Sequence, residues 1–158
     1  MNRVEFELLS ENAYAPIKAS EGAGGYDLVA SRVEYQDAGY VICYTDIAMD
    51  LGGLKALLIP RSSLSKYNWT LANNVGLLDT DYRGGIQFRF RALPRYIHEG
   101  DASFGNTKIS DSPSPFPYKE GDRIGQIVLL PEVSATFSHV DSLEDSNRGE
   151  GGFGSTGN

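Results

Sequence analysis

No stretch of this chain holds a helical apolar period for long. Its apolar residues come in short runs, cut by eighteen glycines and seven prolines and interleaved with nine tyrosines. A long helix needs an i, i+3, i+4 repeat that these breaks deny it, so short strands are what remains. Ile86, Phe88, Phe90 and Ala92 alternate with Gln87, Arg89, Arg91 and Leu93, the period-two pattern of a strand with one buried face. Arg123 to Leu130 reads as another strand, stopped at Pro131, which has no N–H to give to a ladder. Residues 41–49 and 54–59 are further strand candidates around the Gly52-Gly53 turn. One short helix is expected, over about 62–68, where a serine can cap the first turn. Many short strands with Gly/Pro turns predict an all-β fold, a sandwich, barrel or jelly roll.

The chain's 158 residues, 41% of them hydrophobic, suit a single domain over 1–158 with a real core. A formal net charge of -7 gives no broad basic footprint, so neither direct nucleic-acid binding nor an anionic membrane surface is expected. A polyanionic ligand must then be met by local arginines. Cys43 stands alone beside only His98 and His139, which excludes an intrachain disulfide and a Cys-based zinc site and leaves no histidine-rich cluster. With no signal-peptide core and no run long enough to span a bilayer, the expectation is a soluble, cytoplasmic protein. Residues 94–118 carry Pro94, Gly100, Gly105 and Ser-Pro-Ser-Pro-Phe-Pro without sustained period, and read as a surface loop or insertion.

Five segments can carry chemistry. Arg148-Gly-Glu-Gly-Gly-Phe-Gly-Ser-Thr-Gly-Asn158 sets five glycines around one arginine, one aromatic and two hydroxyls. Glycine costs ordering entropy, so such a tail makes sense as an arm over 141–158 that closes backbone N–H groups round a phosphate-bearing ligand. A flexible Gly/Ser terminus accounts for it equally well on composition alone. Gly76-Leu-Leu-Asp-Thr-Asp-Tyr-Arg-Gly84 brings Asp79 and Asp81 together; in a strand the two point to one face, and like charges that close suit one to act as a base while the other is pinned. A solvated acidic turn would use the same residues. Pro60-Arg-Ser-Ser63 leads into the expected helix, where amides of Ser62 and Ser63 can receive an anion. Gly121-Asp-Arg-Ile-Gly-Gln126 joins a turn, an arginine and a strand-borne glutamine, and Ala23-Gly-Gly-Tyr-Asp-Leu28 puts Asp27 beside a tyrosine after a glycine cluster. Each alone is an ordinary turn.

Together and in this order, the five segments resemble the five motifs of the homotrimeric dUTPases, a likeness that runs over nearly the whole chain. It implies a jelly-roll, β-clip subunit, a threefold trimer whose active sites each draw on three subunits, and Mg²⁺-dependent cleavage of dUTP to dUMP and pyrophosphate by water attack on the α-phosphorus. Asp79 matches the water-activating aspartate and Asp81 its supporting carboxylate. Tyr82 matches the ring beneath the deoxyribose that guards against UTP. Asn73, with the backbone about Gly76, falls where uracil is read. Arg61, Ser62, Ser63 and Gln126 match phosphate contacts. Asp27 would assist Mg²⁺ through water. Arg148 would hold the γ-phosphate, Phe153 stack on uracil, and Gly154, Ser155 and Thr156 complete the closing arm. Gly85 and Ser63 depart from the usual residues at their positions, and 94–118 is longer than a compact member needs; that insertion is expected to decorate the trimer and to offer a surface to a protein partner. Two rival readings share the fold: a dCTP deaminase, disfavoured by Asp-Thr-Asp-Tyr-Arg-Gly in the third motif, and a binding protein gated by the nucleotide.

Overall fold

The β-branched and aromatic runs pair into antiparallel sheets. A computed structural model describes residues 3–36, 39–98, 107–110 and 114–150. Its strands are β1 (Glu5–Leu8), β2 (Tyr26–Val29), β3 (Arg32–Gln36), β4 (Tyr40–Tyr44), β5 (Ile47–Asp50), β6 (Lys55–Pro60), β7 (Trp69–Leu71), β8 (Gly76–Leu78), β9 (Gln87–Ala92), β10 (Arg95–His98), β11 (Thr107–Ser110) and β12 (Arg123–Leu130). Two four-stranded sheets, ordered β2-β12-β6-β8 and β3-β4-β9-β7, form the body, and β1-β5 and β10-β11 make two-stranded pairs. This is the all-β, jelly-roll subunit the sequence led us to expect.

Between the sheets lie Leu28, Leu71, Phe88, Phe90, Ile124 and Ile127, all fully buried. The period-two alternation over 86–93 is realised: Phe88 and Phe90 point inward from β9 with ring centroids 6.3 Å apart, while Arg89 and Arg91 are exposed. Gly125, third residue of β12, lies against the Phe88 ring, and any Cβ there would run into Cε1 and Cζ of that ring. Only glycine fits this close approach.

Three expectations change. The strand read over 41–49 is two strands in different sheets, because Asp46 turns the chain with φ 50 and Thr45 ties the corner by donating Oγ1–H to the Ile86 carbonyl at 2.8 Å. Aspartate enters this left-handed region more readily than most residues, so no glycine marks the corner. The helix expected over 62–68 is a 3-10 helix, Ser62–Lys66, with Arg61 at its N-cap and no side-chain cap, since β7 begins at Trp69 and leaves no room for a longer turn. The segment 94–118, expected as a surface loop or insertion, contains the β10-β11 hairpin in place of an unstructured loop, and its last residues rejoin the core. Tyr118 is buried, the Phe116 ring meets Trp69 edge-on at 4.9 Å, and Trp69 Nε1 donates to the Ser114 carbonyl at 2.8 Å.

After β12, residues 131–150 form neither strand nor helix and are exposed throughout, with Phe137 98% accessible. Of the arm over 141–158, its first ten residues belong to this stretch; Phe153, Gly154, Ser155 and Thr156 lie outside the described residues.

Candidate active site

The ladder between β2 and β12 sets Gln126 opposite Asp27, and the two side chains meet, Gln126 Nε2 donating to Asp27 Oδ1 at 3.1 Å. Asp27 is 1% exposed and carries two guanidinium groups as well: Arg123 Nη1 donates to Oδ2 at 3.0 Å, and Arg61 Nε stands 3.3 Å from Oδ1. A buried carboxylate requires such partners. Arg61 and Arg123 also line a pocket with Pro117, Tyr118, Gly121 and Asp122, so two guanidiniums and one carboxylate line it. Ser62 and Ser63 open the 3-10 helix beside it. Ser63 Oγ lies 3.4 Å from Tyr118 Oη, and burial pushes the Tyr118 hydroxyl above the usual tyrosine range, so it keeps its proton at neutral pH. Thus Asp27, Arg61, Ser62, Ser63 and Gln126 converge on one basic, hydroxyl-rich corner suited to an anion.

The second group gathers around β8. Asn73 sits in the tight connection between β7 and β8, closed by Asn74 N–H to Leu71 O at 3.0 Å with Asn74 at φ 60. Asn73 lines a groove of about 690 Å³ with Gln36, Tyr40, Ile42, Ala72, Gln87 and Arg89. Gly76 packs so near Leu58 that a Cβ would come within 3.1 Å of the leucine Cβ. Asp79 and Asp81 differ from expectation, because β8 stops at Leu78 and both carboxylates stand on the following turn, closed by Tyr82 N–H to Asp79 O at 3.2 Å. Both are exposed. Tyr82 folds back along the chain: its hydroxyl donates to the Gly85 carbonyl at 3.2 Å, and its ring covers Gly84 so closely that a Cβ there would strike the hydroxyl.

Within one chain the Asp79 turn does not meet the anion corner. In the β6-β8 pair Leu78 lies opposite Ala56 and Gly76 opposite Leu58, so Asp79 is at the far end of β6 from Arg61. The strand between them spans roughly 16 Å at about 3.3 Å per residue. Arg148, from the fifth motif, lies in the exposed stretch after β12.

Arg123, read in the sequence only as the arginine of the fourth segment, completes the anion corner with Tyr118, which was not singled out there. The available signal for Arg123 was its place at the head of the strand that carries Gln126. Among the described residues no three acidic, histidine or cysteine side chains gather as a metal cage, and no helix there is long and apolar enough to cross a membrane.

The dUTPase family model matches residues 11–101 and 107–157. A deoxyuridine 5'-triphosphate nucleotidohydrolase of Desulfitobacterium hafniense is 39% identical over 148 residues, covering 90% of this chain and 86% of that protein. Its namesake from Neisseria meningitidis serogroup B is 36% identical over 162 residues, 98% and 96% of the two chains. Among solved structures, a Staphylococcus bacteriophage 80alpha dUTPase mutant with dUpNHpp superposes with a TM-score of 0.75 at 24% identity and covers 99% of each chain.

Proposed function

The chain belongs to the dUTPase family, and we propose on that premise that it hydrolyses dUTP to dUMP and pyrophosphate in a homotrimer whose sites are completed between subunits. The separation of the two groups carries the reading. A base must stand within hydrogen-bond reach, about 2.6–3.2 Å, of the water it activates, and that water attacks the phosphorus whose leaving oxygen the anion corner holds. Asp79 and Arg61 of one chain are too far apart for that, so the corner of one subunit faces the turn of another.

In that assembly Asp79 takes a proton from water as its oxygen bonds to the α-phosphorus, and the bond from that phosphorus to the α,β-bridging oxygen breaks. Asp81 supports the charge of the turn. The Tyr82 ring lies beneath the deoxyribose, where a 2′-hydroxyl has no room, and Asn73 with the backbone at Gly76 reads uracil. Arg61, Ser62, Ser63 and Gln126 take the departing pyrophosphate, whose growing negative charge favours these donors more in the transition state than before it. Arg148, Phe153, Gly154, Ser155 and Thr156 close over the bound nucleotide from a third chain, and the wholly exposed stretch 131–150 suits a segment that works on a neighbour.

The donor set fits Mg²⁺ carried mainly by the triphosphate. Asp27 accepts hydrogen bonds from Gln126 and Arg123 and pairs ionically with Arg61, which leaves it, of about four lone-pair positions on a carboxylate, a position for an ion-bound water. When bound, the ion neutralises phosphate charge. The products fit a cytoplasmic role in keeping uracil out of DNA and supplying dUMP for dTMP synthesis.

The test is product analysis with Mg²⁺ and dUTP, dCTP, UTP or dTTP, beside the Asp79→Asn variant. dUMP and pyrophosphate from dUTP alone, lost in the variant, are expected. Ammonia released from dCTP, or dUTP bound and left intact, overturns the reading.

A further inference from the structure

Arg83 sits inside the third motif yet lines a different cleft from Asn73, one shared with Glu5, Phe6, Glu7, Ala48, Met49 and Asp50. Its guanidinium grips the acidic turn from behind. Nη1 donates to the Thr80 carbonyl at 2.7 Å and to the Tyr82 carbonyl at 3.0 Å, while Nη2 donates to Asp50 Oδ2 at 2.8 Å. Asp50 ends β5 and is itself held, its Oδ1 accepting the Gly52 N–H at 3.0 Å; this bond, with Arg83 beside it, keeps the carboxyl below its usual range and so ionised.

We propose that Arg83 is a positioning residue, which braces the turn 79–82 against the end of β5 and thereby sets where the Asp79 carboxylate and the Tyr82 ring stand. The inference rests on the reading of that turn as the seat of the base. The turn's backbone closure is the bond from Tyr82 N–H to Asp79 O at 3.2 Å. The planar fork of arginine adds bonds to two carbonyls of the turn and one to a fixed carboxylate, which a lysine ammonium cannot reproduce. The Arg83 and Asp50 side chains are 51% and 49% exposed. A surface pair of this kind contributes little to global stability, so its loss registers in catalysis, where misplacement by 1 Å can cost on the order of 10²-fold.

The test compares Arg83→Met, Arg83→Lys, Asp50→Asn and the R83M/D50N double variant by kcat, KM, the dUTP-over-UTP preference and melting temperature. The brace predicts for R83M a fall in kcat of about 10- to 100-fold with little change in KM, a narrowed preference against UTP and a nearly unchanged melting temperature. R83K recovers part of the loss, D50N changes the same parameters in the same direction, and the double variant is no worse than R83M because the two residues act as one unit. Full kcat and preference in R83M overturn the proposal. A rise in KM alone that D50N does not share also overturns it, since Arg83 would then be touching substrate. Amide exchange over residues 79–83 reads the brace without substrate: faster exchange in R83M supports it and unchanged exchange overturns it. Should the wild-type protein fail to hydrolyse dUTP, the functional reading falls while this exchange measurement still decides the brace.

Discussion

Replacing Asp27 with asparagine keeps the shape and removes the charge at the point where three donors converge. Gln126 and Arg61 share Oδ1, and Arg123 holds Oδ2. An amide oxygen can serve one of those positions, and its NH₂ must then face a donor at the other. The loss is one charge-assisted hydrogen bond, about 1.5–3 kcal/mol, with the attraction of a buried anion for two guanidiniums. Removing one partner of a fully buried pair costs about 3–5 kcal/mol. Here the arginine side chains are 29% and 44% exposed, and water takes over part of what the carboxylate gave. We therefore expect D27N to lose about 2–3 kcal/mol, a melting temperature lower by roughly 4–12 °C for a domain of this size. Arg61 and Gln126 also lose their anchor, and since they favour the leaving pyrophosphate most in the transition state, kcat for dUTP falls more than KM rises. Thermal unfolding at one fixed protein concentration and steady-state kinetics at several Mg²⁺ concentrations measure both effects. Stability within about 0.5 kcal/mol of wild type, ordinary for an inert surface change, with a raised Mg²⁺ requirement would refute the reasoning, because the carboxylate would then be serving the ion and not the arginines.

Gly125→Ala drives a methyl into the Phe88 ring in the closed core, and overpacking of this kind costs about 1–3 kcal/mol; denaturant unfolding should show it, with Phe88→Leu in the same chain recovering a good part. Gly84→Ala displaces the exposed Tyr82 ring instead, so stability should hold within about 0.5 kcal/mol while kcat and the preference against UTP both fall in nucleotide assays. Cys43 is fully buried and its thiol is pushed up to about 12. It should resist a thiol reagent at pH 8 in the native protein and react at once in denaturant. Because the raised value belongs to the folded state, this thiol's contribution to stability is complete below about pH 8.5 and is lost as pH climbs toward 12, which pH-dependent unfolding can follow.

The sheet was legible wherever one face is buried and the other is wet. Alternation marked β9, and Pro131 marked the end of β12. The corner at Thr45 and Asp46 was not legible, because its signal is a single aspartate in a conformation that glycine more often supplies. The 3-10 helix was read as longer and capped, since serines beside a strand end look alike whether they cap or merely begin a turn. In the candidate site, motif chemistry picked out Asp27, Arg61 and Gln126, and the ladder brings them together. It could not show that Arg123 completes the cluster, because that contact joins residues 96 positions apart. Nor could spacing reveal that Asp79 and Asp81 leave the strand, since two residues share a face in a strand only while the strand lasts.

The two ends of the excursion between β9 and β12 are tied down separately. Arg95 pairs with Ser110 at the base of the hairpin, and Trp69 fastens Ser114 beyond it. β9 holds the flank before the hairpin and Trp69 the flank after it, so a cut or a graft within the excursion leaves each flank with its own grip on the body. The excursion is therefore a natural port: a foreign peptide, a fluorophore or a whole domain could be spliced in there, and chains severed at that point should reassemble as complementing fragments, making this a scaffold that can be read out in two halves.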